Sequence, residues 1–400
     1  MTNLNTAQKS PERQTEQIQS LITPFQTLKA LPNPFSRSQC VSHKHELLIC
    51  GGYQQRACYS YNTIKNEYKF ICEYPIHIKL NGHCVVKLVD NNSKDRNEIT
   101  LLSFGGKYKH TLIMKYVSIW SNENNNNENK INDSKELNKS SNYNKWTPFK
   151  DNHNRSVIIG RKSDNYEGVR AVIGGINSHL LFITYYPKNI SVFDLNTFQF
   201  IKYDKLPTNN LICYHCFVSN SENGQGQEMI KTNNKKNKQN YQMLLFCFKT
   251  GLSIEYDEES NTFQFYQLPV CDGIVSLFRY AYVCINDVIL FFGGCNGDNI
   301  ISNSVHKYSI QESKWITFKN NLPIQLENCV AILSEDNTNI HFIGGQDDKN
   351  TVLSIHMQTR LRVWDNPQSV IIKITIQYWI RFLKIKLGWI DEFNKIIINY

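Results

Sequence analysis

The stretch Ile289-Leu290-Phe291-Phe292-Gly293-Gly294 decides how the rest of the chain is read. Its apolar part is too short for a helix. It is rich in β-branched and aromatic side chains and is bounded by turn residues, which suits a strand buried on both faces. The two glycines let the chain turn sharply as it leaves that crowded strand. The same wording recurs in Leu47-Leu48-Ile49-Cys50-Gly51-Gly52, Leu101-Leu102-Ser103-Phe104-Gly105-Gly106 and Ile340-His341-Phe342-Ile343-Gly344-Gly345. Leu180 to Tyr185 and Leu244 to Lys249 are degenerate copies that end in Thr184-Tyr185 and Phe248-Lys249, where a wider turn is expected. Self-similarity of this kind marks a repeat architecture, here of six units.

Two further features accompany the run. After most copies, a ring or other apolar residue is followed seven positions later by a large aromatic: Tyr61 and Tyr68, Phe193 and Phe200, Tyr256 and Phe263, Tyr308 and Trp315, and more loosely Met357 and Trp364. That spacing across a polar turn is a hairpin. Ahead of each copy lies a short strand with small side chains, beginning near Gln39, His83, Arg170, His215, Ala281 and Asn328. Cys40, Cys84, Cys216 and Cys329 all fall there, and we expect them at one repeat position on the innermost strand. Each unit is then a four-stranded antiparallel sheet, and closing six such sheets radially removes their exposed edges.

The pattern resembles the kelch repeat of kelch-type β-propellers over Phe25 to Asp365, most clearly in the first, fifth and sixth units, and is similar to an expanded set of protist kelch-motif proteins. The fold class expected is all-β: a six-bladed propeller over 24–366, after a polar leader at 1–23 and before an amphipathic helical tail at 367–400. Two segments could complete the last blade, Phe25-Gln26-Thr27-Leu28 and Leu361-Arg362-Val363-Trp364, and sequence leaves the choice open.

The composition is that of a globular chain: 400 residues, 41% hydrophobic, 12% aromatic, with a formal charge of +9. The basic residues are dispersed, so the charge does not argue for nucleic acid. Asn-rich polar insertions at about 121–145 and 219–240 read as loops outside the blades. In the tail, Ile372, Ile376, Trp379, Ile380, Leu383, Leu387 and Ile390 share one helical face beside Lys373, Arg381, Lys384 and Lys386. Such a helix can pack on its own protein, dock in a partner's groove or lie on an anionic membrane surface. No signal-peptide core or run of about 18 apolar residues occurs, and the twelve cysteines read as reduced thiols of a cytoplasmic protein.

Chemistry is sparse. The CxxC of Cys213-Tyr214-His215-Cys216 lacks a second pair, and His77 and His83 read as strand residues far from it. Galactose-oxidase-type propellers share the kelch architecture and carry axial copper on Tyr and His ligands. His83 and His215 begin innermost strands here, at a position the family often fills with a packing histidine. We therefore expect no catalytic, cofactor-binding or metal residues and no cofactor. The function expected is a non-catalytic scaffold that binds protein partners through loops at one end of the ring. Alternatives are a metal- or small-molecule-dependent enzyme using the same channel mouth, and a cytoskeletal or ubiquitin-ligase adaptor.

Overall fold

A computed structural model describes residues 24–89, 98–120, 143–219 and 241–364. The leader, the tail, the cores of both insertions and a short segment at 90–97 lie outside the described residues, and with them the expected tail helix. The short strand β1 (Phe25–Thr27) comes first. Blade one follows as β2 (Cys40–His43), β3 (Glu46–Gly52), β4 (Gln55–Asn62) and β5 (Glu67–Glu73). Blade two is β6 (His83–Leu88), β7 (Glu98–Gly105), β8 (His110–Val117) and β9 (Thr147–Pro148). Blade three is β10 (Asn165–Gly174), β11 (Leu180–Tyr186), β12 (Asn189–Asp194) and β13 (Gln199–Lys205). Blade four is β14 (Cys216–Ser219), β15 (Tyr241–Cys247), β16 (Thr250–Asp257) and β17 (Thr262–Gln267). Blade five is β18 (Ala281–Ile285), β19 (Val288–Phe292), β20 (Val305–Ser309) and β21 (Lys314–Thr317). Blade six is β22 (Val330–Leu333), β23 (Asn339–Ile343) and β24 (His356–Arg360), with β1 as its outermost strand.

That last pairing answers the closure question. β1 lies antiparallel to β24 with Gln26 opposite Gln358, so the start of the described chain completes the final blade. Leu361–Trp364 is a single 3-10 turn instead. Trp364 is buried under it, its ring 5.7 Å from Phe25, 5.5 Å from Phe292 and 5.1 Å from Phe318. A large indole thus pins the three-residue closing strand from below, where a second strand would have had no free edge to join.

The seven-residue aromatic pairs are direct cross-strand partners in four blades. Tyr61 faces Tyr68, Phe193 faces Phe200, Tyr256 faces Phe263 and Tyr308 faces Trp315. Their ring centroids lie 4.8, 5.1, 4.9 and 5.0 Å apart. Such pairs stabilise a sheet beyond the area they bury. In blade two, β9 pairs with β8 through Leu112 and Pro148, so the hairpin does resume just after Trp146.

Three expectations need correction. Turns that lack the glycine pair are not wider: three residues separate Tyr185 from Asn189 and two separate Cys247 from Thr250, against two between Gly52 and Gln55 and four between Gly105 and His110. The pair serves contact between blades. A Cβ on Gly344 would lie 2.2 Å from the Phe35 carbonyl oxygen, and Gly345 N–H donates to that oxygen at 2.7 Å. The four inner cysteines do not share one position. Cys40 lies opposite Ile49, two residues before its glycine pair; Cys84 lies opposite Phe104, one residue before; and Cys329 precedes β22 altogether. His77 is no strand residue but an exposed part of the connection from β5 to β6.

Candidate functional site

The innermost strands surround a central cavity of about 200 Å³ whose wall includes Cys40, Cys84, Ala171 and Ala281. One end of it is closed by a ring of backbone. Each blade contributes one residue with positive φ, just ahead of its innermost strand or, for Gly168, in the bulge near the start of β10: Arg37, Gly82, Gly168, Tyr214, Arg279 and Asn328. Four links join neighbours around the ring: Arg37 N–H to Asn328 O (2.9 Å), Gly168 N–H to Gly82 O (2.9 Å), Tyr214 N–H to Gly168 O (3.0 Å) and Asn328 N–H to Arg279 O (3.0 Å). The left-handed conformation is costly for side chains other than glycine and is held by the packing around it.

Tyr214 occupies the centre. Its ring lies so close over blades two and three that a Cβ on Gly82 would sit 2.6 Å from its hydroxyl, and glycine is therefore required there. Three guanidiniums surround the ring, with Arg37, Arg279 and Arg170 at 4.9, 5.5 and 6.0 Å from its centroid. Arg37 Nη1 donates to the Tyr214 hydroxyl at 2.9 Å and to Asn81 Oδ1 at 2.8 Å. The hydroxyl donates toward Glu167 Oε1 at 3.2 Å. Burial raises the Tyr214 phenol above its ordinary value, so it stays protonated.

Two of the arginines have acidic partners, Arg37 with Glu167 at 3.6 Å and Arg279 with Glu327 at 3.5 Å. Arg170 has none among the described residues; its Nη1 donates to the Val169 carbonyl at 2.9 Å. It stands at the position filled by Gln39, Cys84, Cys216, Ala281 and Val330 in the other blades. The mouth therefore carries three cations against two carboxylates.

All connections at this end are described, because every break in the described chain falls at the opposite end of the strands. Exposed apolar side chains stand on these connections around the mouth: Tyr53, Ile76, Tyr108, Ile158, Leu211 and Ile300.

A Kelch motif model matches residues 277–320, the fifth blade and the connection leading into it. The chain is a kelch-repeat β-propeller. The solved structure of YjhT resembles this kelch propeller with a TM-score of 0.52 at 12% identity, over 82% of this chain and 95% of that chain, a likeness of fold alone. No curated protein matches the sequence.

The histidines singled out in the sequence are placed away from the axis of the kelch ring. His83 Nε2 bonds the Cys50 carbonyl at 3.0 Å and His215 Nε2 bonds Thr184 Oγ1 at 2.7 Å, both fully buried between strands and not lining the cavity. Burial holds His83 down at about 4 and His215 well below its ordinary value, so both are neutral. The CxxC brackets the ring residue Tyr214: Cys216 is in β14, and Cys213 offers its carbonyl toward Cys247 Sγ at 4.0 Å. Among the described residues no group of three or more His, Cys, Asp or Glu side chains could hold a metal ion. No helix among them is long and apolar enough to cross a membrane.

Sequence reading missed Arg37, Tyr214 and Arg279 as a set, because they lie far apart and on connections of unequal length. Arg170 carried a legible signal, a cation at the start of an innermost strand where the other units place uncharged residues.

Proposed function

We propose that this kelch propeller is a non-catalytic binding scaffold that takes a protein partner on the end carrying Tyr214 and its three arginines. The observation that supports this reading is a cationic, aromatic centre with an apolar rim. Protein interfaces favour Arg and aromatic anchors within such a surround. The surplus charge of Arg170 suits a partner that presents a carboxylate. Catalysis is disfavoured because Arg37 Nη1, the Tyr214 hydroxyl, Asn81 Oδ1 and Glu167 Oε1 are engaged with one another, so these described residues aim no free base or nucleophile at one point. The compartment read from the thiols is the cytoplasm.

The test is capture of partners by the intact chain, by an Ile76→Glu/Leu211→Glu variant and by a chain ending at Asp365. Ile76 is 85% and Leu211 52% exposed, so these changes should leave stability within about 0.5 kcal/mol. The expected result is a partner recovered equally with the intact and shortened chains and reduced at least about tenfold with the rim variant. Recovery that survives the rim changes but is lost on shortening would move the function to the tail. Adaptor roles in a ligase or on the cytoskeleton are specific forms of this reading, and the identity of the partner selects between them.

A further inference from the structure

Three cysteines stand in a row across the first blade, well away from the channel. Cys50 of β3 is directly opposite Cys58 of β4, and Cys58 is directly opposite Cys72 of β5. Residues opposite one another in an antiparallel sheet share a face. Here that face packs on blade two, where the three cysteines join Met114 and Trp146 in one cluster. The Cys72 thiol reaches Met114 Sδ at 3.8 Å, and Cys58 stands between the two flanking cysteines in the cross-strand register. All three are free thiols.

Small apolar filling would explain cysteine at any one of these positions, but not what surrounds the outer pair. Trp146 directs its indole Nε1–H at Cys58 Sγ, 3.3 Å away. Donors of this kind favour thiolates and orient them as ligands. A thioether lies against the outer thiol.

We propose that Cys58, Cys72 and Met114 form a binding site for a soft monovalent metal ion, copper(I), between the first and second blades. Two thiols and a thioether match the preference of copper(I) for soft sulfur. They fall short of the four ligands a structural zinc ion takes. Binding involves no redox change: each thiol gives up one proton, two Cu–S bonds form, and the Met114 sulfur adds a neutral third donor. The Trp146 indole N–H then partly offsets the single negative charge left on the site. Cys72 is on the outermost strand and only partly buried, which gives the ion a route in.

The experiment is an anaerobic titration of the full chain with copper(I) acetonitrile complex against the chelator bicinchoninate, with X-ray absorption of the loaded protein. We expect one ion retained per chain in a sulfur-only shell, and no zinc retained under the same competition. Cys72→Ser should weaken retention by about a hundredfold or more, Met114→Leu, which keeps the core volume, and Trp146→Phe each by about tenfold. Thermal melts of the metal-free variants show whether they are folded. Failure of the intact chain to hold copper(I) against the chelator would overturn the proposal. So would retention by folded Cys72→Ser equal to that of the intact chain, or a shell containing nitrogen.

Discussion

Lowering the pH from 7.5 to 5 is expected to move the urea midpoint of this protein steeply downward. Seven described histidines are held below their ordinary value of 6.5, burial being the first cause in each. His83 and His341 are held near 4, His110 and His356 near 3, and His215 well below 6.5. Their neutral rings bond to one another and to neighbours between blades: His341 Nδ1 lies 3.0 Å from His356 Nε2, and Tyr68 OH lies 2.5 Å from His356 Nδ1 across the seam between blades six and one. Because the folded values are depressed, the unfolded chain takes up protons first. Stability is full above about 6.5 and is lost as the pH falls toward 4. Each of these five rings costs about 2 kcal/mol by pH 5, and together that is a large part of the stability of an ordinary domain. Hydrogen bonds donated to their carboxylates hold Asp336, Asp151 and Asp347 below 3.8, and these groups act only at lower pH. Urea titrations at pH 7.5, 6 and 5 check this, and a midpoint unchanged across that range would contradict it.

The second large effect is expected at the closing strand. Trp364→Ala removes an indole that is 1% exposed and packs on Phe25, Phe292 and Phe318. Deleting a buried aromatic of this kind costs about 3–5 kcal/mol. The loss should be felt first where β1 meets β24, since only three register pairs hold that strand. Two readouts report it: a lower urea midpoint, and earlier hydrogen exchange in Phe25–Thr27 and His356–Arg360 than in β3 or β7. A variant with unchanged midpoint would mean that the strand closes the ring without help from Trp364. The same logic explains why sequence could not choose the closing strand. Phe25-Gln26-Thr27-Leu28 and Leu361-Arg362-Val363-Trp364 have the same local character, and only ring closure gives one an edge to join.

Local chemistry was the legible part of this protein. The glycine pairs and the seven-residue aromatic spacing each reflect a short-range constraint, and the four clear ring pairs lie in register. The role of the glycines was hidden because the atom they make room for, such as the Phe35 carbonyl near Gly344, belongs to a segment some 300 residues away. The mouth was hidden for a similar reason. Arg37, Tyr214 and Arg279 share a backbone conformation rather than a residue type, and connections of different length separate them from the repeats that were recognisable. The cysteine row was hidden because Cys50, Cys58 and Cys72 line up only once the bulge after Cys58 sets the register.

The central claim, that a partner binds the arginine and tyrosine end of the ring, is tested most directly by hydrogen exchange of the full chain with and without the captured partner. New protection is expected in the connections at 74–82, 206–215 and 326–329, with the turns at 44–45 and 62–66 at the other end unchanged. Protection confined to those opposite turns, or to 365–400, would contradict it.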